Sequence, residues 1–204
     1  MFAALLDTSV LWPSRQRDFL LSLAVEGIYR PLWSTVILEE LEYHQARKLV
    51  GRGVADDAAA QRARHLIDRM CLVFDDAVVL NWESLEGSFG LPDPDDEHVL
   101  SAAVVGGADA IVTHNLRDFP RAKVPAHIHV VAPAVFAADT VSVSPDVALH
   151  AVTAMAARYR APGRSVDEVL NELVTRYGMD DPRRHVSAGL MHGDMTWCGD
   201  AADR

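Results

Sequence analysis

Short apolar runs alternate with longer stretches of helical periodicity through residues 1–135, and few folds accept that alternation. Phe2 to Leu6 is an apolar run ending in Asp7-Thr8-Ser9, which predicts a buried strand with polar residues at its C-terminal edge. Ser14 to Val25 carries Phe19, Leu20, Leu23 and Ala24 on one helical face, with Gly27 as a stop. Ser34 suits the N-cap of a helix running through Val36, Ile37, Leu38 and Leu41 towards Lys48. Asp56 or Asp57 suits the cap of another, whose apolar stripe is Ala63, Leu66, Ile67 and Met70. Val78 to Leu80 predicts a second strand. A Pro- and Asp-rich loop, Leu91 to His98, leads into a small-residue helix from Val99 to Val105, stopped by Gly106-Gly107. Ala110 to Thr113 and Ile128 to Val131 predict two further strands. Strands and helices in this order imply a three-layer α/β/α fold with a mainly parallel sheet. Ligands of such sheets sit beyond the C-terminal strand ends, where Asp7 and the Thr113–Asp118 segment both fall.

From about Ala137 the strand pattern ends. Val147 to Arg158 and Val166 to Tyr177 are helical stretches, separated by Ala161-Pro-Gly and preceded by Ser144-Pro145. Ser165 and Glu168 form an S-x-x-E capping box. The expected organisation is a domain over residues 1–135, a helical appendage over 136–182 and a loose tail over 183–204.

Half of the 204 residues are apolar, enough for a sizeable core. The start, MFAALLDTSVLW, has no cationic segment and is interrupted by Asp7. No apolar run approaches the ~18 residues that span a bilayer. Cys71 and Cys198 suggest neither a metal motif nor a disulfide framework, so a reducing cytoplasm is the expected setting. The net charge of −10 argues against broad nonspecific nucleic-acid binding, and it suits a basic protein partner. Acids gathered around a metal are neutralised by it, so the charge leaves metal-dependent chemistry open.

Four acidic features stand where the sheet should open: Asp7, Glu40, the Asp93/Asp95/Asp96 group and Asp118. Carboxylates drawn together repel one another and stay ionised only with a compensating cation. Oxygen-only donors favour a hard ion, Mg²⁺ or Mn²⁺. Such an ion can act on a phosphodiester without a protein nucleophile, and the chain has no G-x-S-x-G. Each acid also has a plainer use. Asp7 can bond amides at a strand end, Glu40 can pair with His44, Asp95 or Asp96 can cap a helix, and Asp118 can form an Asx-turn before Phe119-Pro120.

Taken together, Leu-Leu-Asp-Thr-Ser-Val-Leu (5–11), Ser34 to Leu41, Asp-Pro-Asp-Asp-Glu-His-Val-Leu (93–100) and Ile-Val-Thr-His-Asn-Leu-Arg-Asp-Phe-Pro (111–120) resemble PIN-domain proteins. The nearest likeness is to VapC-type toxins of toxin–antitoxin pairs, over roughly residues 1–135. The resemblance implies a Mg²⁺-dependent endoribonuclease that leaves a 5′-phosphate and a 3′-hydroxyl. It makes Asp7, Glu40, Asp96 and Asp118 the catalytic acids, with Asp7, Asp96 and Asp118 as metal ligands. Thr113 becomes the hydroxyl beside the site, Thr8 or Ser9 orients Asp7, and Asp93 is an additional candidate. Asn115 stands where relatives often have Asp, which puts a second metal in doubt. The same likeness implies an RNA substrate, a small cognate antitoxin and a homodimer.

His98 and His114 flank these acids, where a surface ion-pair role is the ordinary expectation. Trp12, Trp33 and Trp82 are offered to bases or, more ordinarily, to packing. Arg15, Arg17 and Arg117 are candidates for phosphate contact, Arg117 best placed by its motif. A non-catalytic PIN-like module binding RNA or protein through a degenerate site is the alternative, with Asn115 as its support. A receiver-like phospho-acceptor ranks below both, lacking a suitably placed lysine after the Thr113 strand.

Overall fold

The computed structural model describes residues 1–159 and 164–179. The expected tail over 183–204 and the Ala161-Pro-Gly break lie outside them. Among the described residues no helix is long and apolar enough to cross a membrane. The chain divides into two compact units, residues 1–17 with 29–133 and residues 18–28 with 134–204.

The first unit is built on a five-stranded parallel sheet. Its strands are β1 (Ala3–Leu6), β2 (Arg30–Ser34), β3 (Val78–Val79), β4 (Ala110–Val112) and β5 (His129–Val131), in spatial order β3-β2-β1-β4-β5. The fold is of the expected three-layer α/β/α type, with helices packed on a parallel sheet. Every residue of β1 is buried, as expected of a central parallel strand covered on both faces. Asp109 secures its start, accepting the Ala3 amide at 2.8 Å. The helices of this unit are α1 (Thr8–Leu11), the first turn of α2 (Ser14–Val25), α3 (Thr35–Val50), α4 (Asp56–Val73) and α5 (Glu97–Val105).

Strand β2 was not expected, because Pro31 lacks an amide hydrogen and discourages a strand reading. Its position resolves the conflict. The Arg30 amide bonds Phe2 on the β1 side, and the Trp33 amide bonds Ala77 on the other. The short β3 pairs only with Trp33 and Ser34, so Pro31 precedes the point where a donor on that side is needed. Ser34 then caps α3, accepting the Ile37 amide at 3.1 Å. Asp56 and Asp57 do not cap α4: Ala55 holds that position, and the two acids lie in the first turn, where they favour the helix dipole. The short α1, and the start of α5 at Glu97, also exceed expectation.

Helix α5 packs against β1, β2 and β4 and is buried from Glu97 to Ala103. Its end divides the work of two glycines. Gly107 takes φ +65°, a left-handed turn that L side chains resist, and is the actual stop. Gly106 is ordinary helical backbone, but a Cβ there would lie 2.7 Å from Val79 Cγ2 and 3.1 Å from Leu32 Cδ1.

The second unit contains the remainder of α2 with α6 (Pro133–Val143, from Ala134), α7 (Pro145–Ala157) and α8 (Val166–Tyr177). Helix α6 was not expected, and α7 begins two residues before the expected Val147. The α2 segment is integral to this unit: Arg158 donates to Ser22 Oγ at 2.7 Å, and His150 lies 3.0 Å from Glu26. The Ser165–Glu168 capping box forms as expected.

Gly106→Ala should destabilise the protein by about 1–3 kcal/mol, because overpacking against Val79 and Leu32 outweighs the gain in helix propensity. Urea unfolding of the whole chain measures this; an unchanged or higher midpoint would show that the packing yields.

Candidate active site

Asp7 follows β1 directly and is only 6% exposed. It occupies the N-cap position of α1, yet its side chain makes no capping bond. Its Oδ2 instead accepts two hydroxyls, Ser9 Oγ and Thr113 Oγ1, each at 2.6 Å. Both hydroxyls also accept backbone amides from the segment after β4: His114 N–H bonds Ser9 Oγ at 3.2 Å, and Asn115 N–H bonds Thr113 Oγ1 at 2.9 Å. Two adjacent strand ends are thereby tied through one carboxylate, and Asp7 Oδ1 is left without a hydrogen bond among the described residues.

Thr8 has a different role from the one expected. Successive helical residues point about 100° apart, so Ser9 turns to Asp7 while Thr8 turns to α3. Its hydroxyl donates to Glu40 Oε2 at 2.5 Å. Glu40 Oε1 lies 3.6 Å from His98 Nε2. The neighbouring His98 holds the Glu40 carboxyl below the usual range, with Thr8 assisting and burial acting the other way. His98 is not a surface residue, contrary to expectation. It is 5% exposed, with Ser34 Oγ 3.4 Å from Nδ1 and Trp82 edge-on at 6.0 Å.

Asp96 sits at the N-cap of α5 without a side-chain capping bond, so the plainer use of this acid is not realised. Asp93 does cap, accepting the Asp95 amide at 3.0 Å. Burial pushes the Asp96 carboxyl up to about 6, and the negative charges of Asp7, Asp118 and Asp93 add to the rise. Asp118 is thus near enough to be felt, although Asp7, Thr8, Ser9, Trp12, Glu40, His44, Asp96 and Asn115 are the residues lining the cleft of about 410 Å³. Asn115 brings an amide to this wall where a further acid would have added charge.

Other candidates separate cleanly. Arg17 is buried and donates to the Leu11 carbonyl at 2.9 Å, which removes it from phosphate contact. Arg117 is exposed in a short 3₁₀ turn, Leu116–Asp118. Trp33 and Trp82 are buried packing residues; Trp12 is 42% exposed on the cleft. His114 is exposed, as expected, with Gln16 Nε2 3.2 Å from its Nε2; partial burial of the ring lowers its pKa against the opposing charge of Asp7. Glu97 was missed by the sequence reading. It is 3% exposed and accepts the amides of Leu91 at 2.8 Å and Phe89 at 3.2 Å, anchoring the loop that leads to Asp96.

Residues 3–117 match the family model described as PIN domain. The chain belongs to the PIN-domain family. PIN domains are generally nucleases acting with divalent metal ions, which places this chain among hydrolases of nucleic-acid backbones. No curated protein and no solved structure matches the chain.

Among the described residues, no three His, Cys, Asp or Glu side chains form a group able to hold a metal ion in the arrangement seen. The donor chemistry of the PIN cleft nevertheless fits a hard divalent cation. Its walls bring together the carboxylates of Asp7, Glu40 and Asp96, the amide of Asn115 and the hydroxyls of Thr8 and Ser9, with the His44 imidazole as the one nitrogen ligand type among them. Burial and neighbouring acids both disfavour an ionised Asp96 without a cation.

In metal-free protein, Asp96 should titrate near pH 6, and Asp7→Asn should lower its midpoint. Because the folded value lies above the ordinary 3.8, its contribution favours folding fully below about pH 4 and is lost as pH rises through about 6. NMR titration of the side-chain carboxyl carbons in EDTA tests this. An ordinary midpoint, unmoved by Asp7→Asn, would show that the two acids do not interact.

Proposed function

We propose that this PIN-domain protein is a Mg²⁺-dependent endoribonuclease, the VapC-type toxin of a type II toxin–antitoxin pair working in the cytoplasm. The observation that carries the reading is the gathering of Asp7, Glu40 and Asp96 on one cleft, where burial and the charges of Asp7 and Asp118 raise the Asp96 carboxyl. Asp7, Asp96 and Asp118 would hold the ion, with Mn²⁺ able to substitute. When bound, a divalent cation supplies Lewis-acid stabilisation of charge developing on the phosphate and makes water a better nucleophile at neutral pH.

The protein's own groups do the rest. Ser9 and Thr113 fix Asp7 in one orientation, so little rearrangement is required of it. Glu40, kept ionised by His98 and steadied by Thr8, positions the attacking water and takes its proton at Oε1. In-line attack forms a bond from water oxygen to phosphorus and breaks the P–O3′ bond; the departing oxygen takes a proton from solvent, leaving a 5′-phosphate and a 3′-hydroxyl. Arg117, exposed beside Asp118, is available to a flanking phosphate. A small antitoxin with a basic segment suits the acidic cleft, and a homodimer is the expected assembly.

Asn115 on the cleft wall favours a second reading, a non-catalytic module that binds RNA or protein through a degenerate site. Incubating purified protein with total RNA in Mg²⁺ or EDTA separates the two. Cleavage should require Mg²⁺, disappear in Asp7→Asn and Asp96→Asn, and fall on the order of 100- to 10,000-fold in Glu40→Gln. Metal-dependent cleavage surviving both aspartate substitutions would remove the proposed site; no cleavage of any RNA would favour the binding module.

A further inference from the structure

Trp12 is the exposed large aromatic of the cleft, and the nuclease reading alone gives it no role. Its indole is 42% exposed and shares the cleft wall with Asp7, Glu40 and Asp96. An exposed indole is costly to leave in water, and its surroundings organise it. The Lys48 ammonium lies over the ring, 5.1 Å from the centroid, and donates to Ser14 Oγ at 2.9 Å. His44, also on the cleft wall, stands edge-on to the indole at 6.5 Å.

Helix α3 arranges these groups in a line. Glu40, His44 and Lys48 follow at four-residue spacing, so they share one face and rise about 6 Å per step. Charge changes sign along that face, from the Glu40 carboxylate to the Lys48 ammonium. Tyr43 and Arg47 continue the pattern beside it: Tyr43 is exposed, stands edge-on to His44 at 5.5 Å, and carries Arg47 over its ring at 5.5 Å. Aromatic faces interleaved with cations, extending from a carboxylate cleft, match an extended single strand, whose bases need flat partners and whose phosphates need positive ones. An apolar protein segment would require neither the lysine nor the histidine at this spacing.

Resting on the nuclease reading, we propose that Trp12, His44 and Lys48 form a nucleotide subsite next to the scissile phosphate. The base stacks on the indole of Trp12, while Lys48 and His44 face the adjoining phosphate. The subsite selects single-stranded over paired RNA, because a base held in a helix cannot present its face to the ring. It positions the strand and contributes no group to bond breaking.

The test uses a fluorescein-labelled single-stranded RNA hexamer and a series in which each position in turn is abasic. Binding is measured by anisotropy in Mg²⁺ with the full chain carrying Asp96→Asn, and the strand is checked intact afterwards. Trp12→Ala should weaken binding about 5- to 100-fold, Trp12→Phe should retain most of it, and Lys48→Ala should reduce the salt dependence. One abasic position should cost the Trp12 protein a similar factor and cost Trp12→Ala nothing further. That coupling depends on the base and would not arise from misfolding, which thermal melts of each variant also monitor. RNA binding by the parent protein with equal affinity in Trp12→Ala, or losses that simply add across all positions, would overturn the subsite and leave the nuclease reading intact. A Trp12 surface that bound a basic peptide and no RNA would overturn both.

Discussion

A carboxylate that is nearly buried at the end of a central strand is unfavourable unless hydrogen bonds replace its lost water. Asp7 meets that condition with two side-chain hydroxyls, one from the turn that follows its own strand and one from the end of β4. A hydrogen bond to a charged group contributes about 1.5–3 kcal/mol, and loss of either would leave buried charge uncompensated. The two hydroxyls also accept the amides of His114 and Asn115, so the chain leaving β4 is shaped by the same network. Asn115 reaches the cleft because Asp7 needs Thr113. The register of β1 on β4 and the composition of the site are thus one constraint.

The opposing wall depends on a helix with almost no exposed side. Helix α5 is buried through Glu97–Ala103, and its two ionisable residues find partners inside the protein, whereas the Ser101 hydroxyl does not. Glu97 takes the amides of Phe89 and Leu91, which fixes the preceding loop, and His98 takes Glu40 and Ser34. Asp96, at the mouth of the same helix, is the acid left facing its neighbours' charge. Glu40 and Asp96 consequently differ in character: one is kept ionised by a histidine, and the other tends to hold its proton unless a cation takes its place.

The parallel sheet, the Ser34 cap and the Ser165–Glu168 box were legible in the sequence because each depends on local pattern. Strand β2 was not, since Pro31 argues against a strand until the shortness of β3 is known. Helix α6 is similarly opaque, with apolar residues around most of its circumference and no polar stripe to set a period. Of the four expected acids, Asp7, Glu40 and Asp96 line one cleft together with the supporting candidate Asn115, while Asp118 lies outside that lining. The division of labour between Thr8 and Ser9 was hidden because the four-residue helix α1 was unforeseen, and that helix sends adjacent hydroxyls to different acids. Glu97 had a readable signal: an acid opening a mostly apolar helix has little solvent face to occupy.

The excess of acid over base, −10 across the chain, weighs less on nucleic-acid binding than the total suggests. Exposed charges are screened over about 8 Å at physiological ionic strength, so a strand in the cleft senses mainly its immediate walls. Along α3 the charge changes sign over a little more than two helical turns, from Glu40 on the cleft wall past His44 to Lys48, with Arg47 adjacent. On the proposed reading, acid at the reacting phosphate would invite a cation, and base along the flanking helix would receive the phosphates that no cation serves. Net negative charge elsewhere disfavours indiscriminate adsorption to nucleic acid, which, on the proposed reading, would leave recognition to a strand able to enter the cleft and lay a base against Trp12.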